Sequence, residues 1–382
     1  MKKFLTVLLA SALVAIAIVS AGFKVATAEE PLVGNAKAAV LIDAETGTVI
    51  TEKNPTERLQ IASMVKIMTL NIAFEEIEAG RLSYDDDVTA SEYATSMGGS
   101  QAFLDTGATY KAGELIKSIV VASANDSCVA IAEHIAGSVP AFVERMNENA
   151  KVWGMENTNF VNCTGLPAPN EYSSAADVSV MFRKLVGHKD FYDFAKVWMF
   201  DFVHPSGRVT ELSNTNKLVR FYEGCDGGKT GFTSEALSCL AATAKRGDTR
   251  LICVVVGAPD SKTRNAQVCG LFNYGFSGFE SKKFVCAGDK INGSATVDGG
   301  KVGEVGGFAE HDLAVFGKKG TNKCEIQTEF YAVAAPVKRG DIIGTVKVVR
   351  DGETVASCNI LASENVETKT YGDVVGDFIK NW

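Results

Sequence analysis

Residues 38–43 are apolar up to Asp43, Glu45-Thr46-Gly47 makes a turn, and residues 48–51 return. That pattern predicts two adjacent strands. Over residues 62–79 apolar side chains fall on most sides of a helical wheel, until Gly80 closes the run. A helix with so little polar face belongs inside a core. The helical period recurs over 113–121 and 126–136, with Ser123-Ala124-Asn125 at the break, and again over 138–153 and 175–186. The middle of the chain therefore reads as mostly helical. After Gly228 the period changes. Residues 229–233 predict a short strand, and residues 237–245 and 249–256 are β-branched runs meeting at Arg246-Gly247-Asp248, a hairpin. Residues 265–274 return to a helical pattern. Strands at both ends with helices between them predict one sheet fed from the two ends of a domain. From about Phe284 the text is β-like throughout, with turns at Asp298-Gly299, Arg339-Gly340 and Asp351-Gly352. This predicts a separate small all-β domain, with a soft boundary near residues 279–288.

The first 28 residues read as an address. Lys2 and Lys3 precede an apolar stretch over residues 5–21, and Ala26-Thr27-Ala28 fits the small-x-small cleavage rule. A membrane anchor is the competing reading; the short run and the closely following Lys24 argue against it. Residues 1–28 are thus expected to be an export signal, residues 29–282 a catalytic domain, residues 283–370 a β domain, and residues 371–382 a terminal helix. Cleavage would leave 35 basic against 46 acidic side chains, a net charge of −11. With no Lys/Arg cluster, nothing invites nucleic acid. Nine cysteines survive cleavage, so at least one is unpaired, and no Cys/His spacing suggests a zinc site. No metal and no cofactor are expected.

Three segments carry candidate chemistry. In Ser63-Met64-Val65-Lys66 the hydroxyl and the amine lie one helical turn apart. Lys66 can serve as a base only if neutral, which burial and a second nearby cation would favour. Ser123 and Asn125 place a hydroxyl and an amide at a helix–helix break, where they can relay a proton and hold a carbonyl. Lys229-Thr230-Gly231 offers a cation and a hydroxyl for a substrate carboxylate, and a bare strand edge at Gly231 for an extended peptide. Each segment alone also fits an ordinary reading: a helix start, a capped turn, a Gly-rich turn into a hairpin. Together they supply a nucleophile, a base, a relay and an anion site for acyl transfer without histidine or metal. The four histidines lie in none of them, and Asp126 reads as a helix-capping residue.

In this order the motifs resemble those of the low-molecular-mass penicillin-binding proteins, the serine-type D-alanyl-D-alanine carboxypeptidases. The resemblance includes Tyr172-Ser173-Ser174-Ala175-Ala176-Asp177 and Asp226-Gly227-Gly228 before Lys229. It implies an α+β catalytic domain, an antiparallel sheet with a helical cluster, followed by a β-sandwich. It implies Ser63 as the acylated nucleophile, Lys66 as its base, Ser123 as the relay to the leaving amine and Asn125 as the holder of the acyl side chain. Lys229 and Thr230 would bind the terminal carboxylate, and the amides of Ser63 and Phe232 would form the oxyanion hole. The substrates implied are peptidoglycan stem pentapeptides, with β-lactams as covalent inhibitors, met outside the cytoplasm. Two departures stand out: Val65 where the family usually has Thr, and Phe232 where a polar residue often follows the K-T-G segment.

Two other functions are open to such a fold. A serine β-lactamase needs a carboxylate-bound water, for which Glu156 and Glu171 are the candidates. A non-catalytic wall-binding or scaffolding protein would be expected to have lost one of the motif residues, and all are intact. At the C-terminus Tyr371, Val374, Val375, Phe378, Ile379 and Trp382 share one helical face. The resembling family often ends in a helix lying on the membrane. Two acids against one lysine here allow only weak, reversible membrane-surface association, and folding back onto the β domain is the alternative.

Overall fold

The computed structural model describes residues 34–321 and 323–380. The expected export signal and Trp382 lie outside the described residues. A five-stranded antiparallel sheet organises the first part. Its strands are β1 (Ala38–Asp43), β2 (Val49–Lys53), β3 (Cys225–Thr233), β4 (Leu237–Arg246) and β5 (Thr249–Ala258), in the order β2-β1-β5-β4-β3. Strands from the two ends of the domain thus share a sheet, as the pattern predicts. β1 is apolar from Ala38 to Ile42 because both of its faces are covered. Val40 and Ile42 face the helical cluster with Ile252 and Val254. Ala39 and Leu41 face the opposite side with Leu251, Cys253 and Val255. This is the two-residue alternation of a strand buried on both sides.

The helical cluster comprises α1 (Lys66–Glu78), α2 (Ala112–Ala122), α3 (Asn125–Ala136), α4 (Val139–Val152) and α5 (Ala175–Leu185). α1 runs through its middle and buries ten of its thirteen residues. The other face of the sheet is covered by α6 (Ser261–Gly278), which starts where the Asp260 side chain accepts from Thr263 N. Leu271, Phe272 and Phe276 of α6 pack there.

The expected helix over 62–79 is divided. It opens as a 3-10 turn, Ala62–Val65, before α1 begins. Ala62 holds a left-handed φ of 48°, which an α-helix does not admit. The expected strand over 229–233 starts at Cys225, so the two glycines before Lys229 lie inside the β3–β4 ladder. Two short antiparallel pairs, Asp87–Thr89 with Thr109–Lys111 and Met199–Val203 with Val209–Ser213, were not expected; the first is joined by a long connection and the second turns at Ser206-Gly207.

The second part contains β6 (Phe279–Val285), β7 (Lys290–Asp298), β8 (Glu304–Ala309), β9 (Leu313–Lys318), β10 (Glu325–Phe330), β11 (Val333–Ala334), β12 (Ile342–Arg350) and β13 (Glu353–Ala362). They form a β6-β9 pair and a six-stranded sheet, β10-β12-β13-β8-β7-β11, around one apolar core. The two parts meet where Ser281 Oγ donates to Asp43 and Ser281 N donates to Thr249 Oγ1. A final helix, α7 (Tyr371–Lys380), follows. Its start is fixed by Thr370 and Asp373, which exchange hydrogen bonds. All nine cysteines are free thiols, and six of them are buried.

Candidate active site

Ser63 sits in the 3-10 turn, between the sheet edge and the helical cluster. Lys66, the first residue of α1, is fully buried, and its Nζ lies 3.0 Å from Ser63 Oγ. The same Nζ donates to the Thr164 carbonyl at 2.6 Å. Ser123 terminates α2 in the left-handed region, at φ 66°, which turns its hydroxyl out of the helix and towards β3. There Lys229 Nζ donates to Ser123 Oγ at 2.7 Å and to the Thr230 carbonyl at 3.1 Å. Two amine–hydroxyl pairs, each with a buried lysine, are therefore brought together where the nucleophile turn, the α2–α3 junction and β3 meet.

Asn125 opens α3. Its Nδ2 donates to Gly98 O at 2.6 Å, while its Oδ1 is buried without a hydrogen-bond partner among the described residues. A buried acceptor left open is costly unless something else reaches it. Thr230 lies beside Lys229 on β3, which is the sheet's edge strand. Gly231 packs on the nucleophile turn: a Cβ there would come 2.5 Å from the Ile61 carbonyl and 3.3 Å from Ser63 N. Only glycine lets β3 come this close to Ser63. The Phe232 ring points outward and is 68% exposed. All eight residues singled out in the sequence thus fall on the nucleophile turn, the α2–α3 junction or the β3 edge.

Burial pushes the Lys66 ammonium below its ordinary pKa, against the opposing pull of Cys128, Cys163, Glu171 and Asp126. Lys229 is pushed well below, by burial first and then by Lys66. The two amines repel one another, so Lys229 is the second nearby cation that the sequence reading called for beside Lys66. A neutral Lys66 can take a proton from Ser63. Lys229 is poised to gain one when an anion arrives to compensate it.

Several site residues escaped the sequence reading. Thr164 contributes only its carbonyl, which no side-chain pattern reveals. Arg264, one turn into α6, is buried, reaches the Cys239 carbonyl opposite Gly231, and adds a second cation acting on Lys229. Its signal was an arginine following the Asp260 cap. Asp126 is not the cap expected from the sequence: the N-cap of α3 is Ala124, with no side-chain cap hydrogen bond, and Asp126 lies within the first turn. Its carboxylate accepts from Ala102 N at 3.0 Å and Leu104 N at 3.1 Å, tying the loop that carries Phe103 to α3.

A family profile described as D-alanyl-D-alanine carboxypeptidase matches residues 24–260, and one described as penicillin-binding protein 5, C-terminal domain, matches residues 279–368. The chain belongs to the D-alanyl-D-alanine carboxypeptidase family. It is 38% identical to the D-alanyl-D-alanine carboxypeptidase DacF of Bacillus subtilis, over 88% of this chain and 87% of that one. Among solved structures it resembles penicillin-binding protein 5 from Haemophilus influenzae, with a TM-score of 0.70 and 33% identity, covering 87% of this chain and 97% of that one. It also resembles penicillin-binding protein D2 from Listeria monocytogenes in an ampicillin-bound form, with a TM-score of 0.57 and 28% identity, over 63% of this chain and 97% of that one. The catalytic domain with its antiparallel sheet, followed by an all-β domain, is the architecture of these carboxypeptidases. The chain is thus a serine-type carboxypeptidase of the penicillin-binding class.

Proposed function

We propose that this carboxypeptidase removes the terminal D-Ala of peptidoglycan stem pentapeptides through an ester on Ser63. Lys66 takes the Ser63 proton as Oγ attacks the penultimate carbonyl. The amides of Ser63 and Phe232 receive the developing oxyanion. Ser123 passes a proton to the leaving nitrogen as the C–N bond breaks, and D-Ala departs. Water then cleaves the ester and restores Ser63. Asn125 holds the acyl side chain. Lys229 and Thr230 bind the terminal carboxylate, whose negative charge favours the charged form of Lys229, while Gly231 leaves room for the extended peptide. The observation that carries this reading is the pair of contacts between a buried lysine and a serine hydroxyl, Lys66 with Ser63 and Lys229 with Ser123.

The same ester chemistry accounts for β-lactams as covalent inhibitors. A β-lactamase reading is less well supported. Glu156 is exposed, and both oxygens of Glu171 face Asn162 donors. Residues 1–28 acting as an export signal would deliver the enzyme to the outer face of the cytoplasmic membrane, the wall or the periplasm. Residues 29–282 form the catalytic unit in this reading, and residues 283–370 the β domain that supports it. Residues 371–382 supply weak membrane-surface attachment; among the described residues no helix is long and apolar enough to cross a membrane. The test is intact-mass analysis after penicillin exposure, together with D-Ala release from diacetyl-Lys-D-Ala-D-Ala. One adduct on the native chain, none on Ser63→Ala, and matching loss of D-Ala release are expected. A stable adduct on Ser63→Ala would remove Ser63 from the mechanism.

A further inference from the structure

One short turn holds both the nucleophile and its base. Gly165 has φ 76°, and a Cβ built on it would lie 2.0 Å from the Ala62 carbonyl oxygen and 3.0 Å from Ser63 N. The turn is therefore seated on the backbone that presents Ser63. The preceding carbonyl, that of Thr164, receives Lys66 Nζ. Asn162 organises the turn. Its Oδ1 accepts from Thr164 N at 2.9 Å, Thr164 Oγ1 at 2.8 Å and Gly165 N at 2.7 Å. Its Nδ2 donates to the Leu166 carbonyl at 2.9 Å and to Glu171 Oε2 at 3.0 Å. Its backbone N–H points at Glu171 Oε1, a long contact of 3.4 Å. Glu171 is only 8% exposed. The acyl-transfer steps above give this acid no part, and burying it is costly unless it is compensated.

We propose that Glu171, as a carboxylate, is a positioning residue for acylation: by fixing Asn162 it holds the turn that sets Lys66 Nζ against Ser63 Oγ. Both of its oxygens face donors, and the ionised form, which accepts at both with its charge, makes these contacts strongest. A proton removes the charge that strengthens both contacts, and the amide of a glutamine sets its NH2 against one of the Asn162 donors. The titratable groups around the turn and Lys66 are Asp126 and Cys128 from α3, Lys229 from β3 and Cys163 from the turn itself; Lys66 from α1 is the charge that acts on Glu171. Burial pushes Glu171 up to about 7. The positioning should therefore weaken as pH falls through neutrality. The same shift works against the fold: a carboxyl raised from 4.5 to about 7 costs stability as pH rises through that window. Position and stability thus pull in opposite directions at pH 8.

The inference rests on Lys66 being the base. The experiment measures penicillin acylation of the full chain, its deacylation, and thermal stability from pH 5.5 to 8.5, for the native protein, Glu171→Gln and Asn162→Ala, with Ser63→Ala as control. At pH 8, Glu171→Gln should be at least as stable as the native chain yet acylated about ten- to a hundredfold more slowly, the scale of a misplaced reacting group. Its deficit should shrink below about pH 7, where the native Glu171 is itself neutral. Asn162→Ala should be slow at every pH. Native acylation rates for Glu171→Gln at pH 8, or a deficit constant across the range, overturn the proposal. So does normal acylation followed by a stalled ester, which would make Glu171 a water-activating group. An adduct on Ser63→Ala would instead overturn the nucleophile assignment, so the two failures are distinguishable.

Discussion

At the scale of single residues, the site depends on keeping an amine neutral. Lys66→Arg should fold but be acylated at least ~100-fold more slowly, because a guanidinium keeps its proton and general-base catalysis is worth roughly 10²–10⁴. Stopped-flow acylation at the native rate would exclude Lys66 as the base. Burial that lowers Lys66 also costs the fold. With the folded pKa below the ordinary 10.5, the folded state binds fewer protons than the unfolded one. The cost is absent above pH 10.5 and grows as pH falls below it. The difference in Tm between Lys66→Met and the native chain should therefore become more favourable to the variant as pH drops from 10 to 7. A difference that does not vary with pH would mean that Lys66 is not depressed. Gly231 carries a steric argument instead. A methyl group there meets the Ile61 carbonyl at 2.5 Å, backbone that cannot swing aside. Overpacking of this kind costs about 1–3 kcal/mol. Gly231→Ala should lower the Tm and slow acylation together, whereas a displaced side chain alone would leave the rate intact.

At the scale of elements, β3 matters as an edge strand. Only β4 pairs with it, so its outer side stays open beside Ser63. The Phe232 N–H can serve an oxyanion there while its ring stands in solvent. Phe232→Ala should therefore cost little turnover. Phe232→Pro removes the donor, and one oxyanion donor is worth about 2.7–4 kcal/mol. Equal kcat for the two variants, both folded, would transfer the role to the ring. Much of this framework was legible in sequence. The strands of the sheet and the helices around the site have strong periods, and the motif residues fall on them. What was hidden has physical reasons. The 3-10 turn before Lys66 depends on Gly165, about a hundred residues away in sequence and pressed on Ala62. The Thr164 carbonyl and the Asn162 network are backbone geometry. The two unforeseen strand pairs have three and five residues per strand, too short to establish a period. Arg264 gains its meaning only when α6 is laid on the sheet beside Cys239.

At the scale of the whole molecule, the catalytic sheet and the β domain are joined directly, since α6 ends at Gly278 and β6 begins at Phe279. The site belongs to the first part alone. The second part ends in α7, whose apolar side chains find no cover. Tyr371, Val374, Val375, Phe378 and Ile379 are all exposed, so the helix does not fold this face onto the β domain. Lys369 is paired with Asp377, which spends one cation within the molecule. What remains to recognise a membrane is apolar area. Burying a Val, Ile or Phe side chain fully is worth about 1.5–3 kcal/mol, and an interfacial helix buries each only partly. Attachment should therefore be weak, reversible and nearly indifferent to anionic lipid, because the helix carries two acids against one lysine. Co-sedimentation of the chain lacking residues 1–28 with neutral and with anionic vesicles, before and after removal of residues 371–382, reads this directly. The expected result is a modest bound fraction, similar on both vesicles and lost on truncation, with kcat on a soluble peptide unchanged. Equal partitioning of the two forms would leave α7 without a membrane role. A bound fraction that rises steeply with anionic lipid would locate the contact on a basic surface elsewhere.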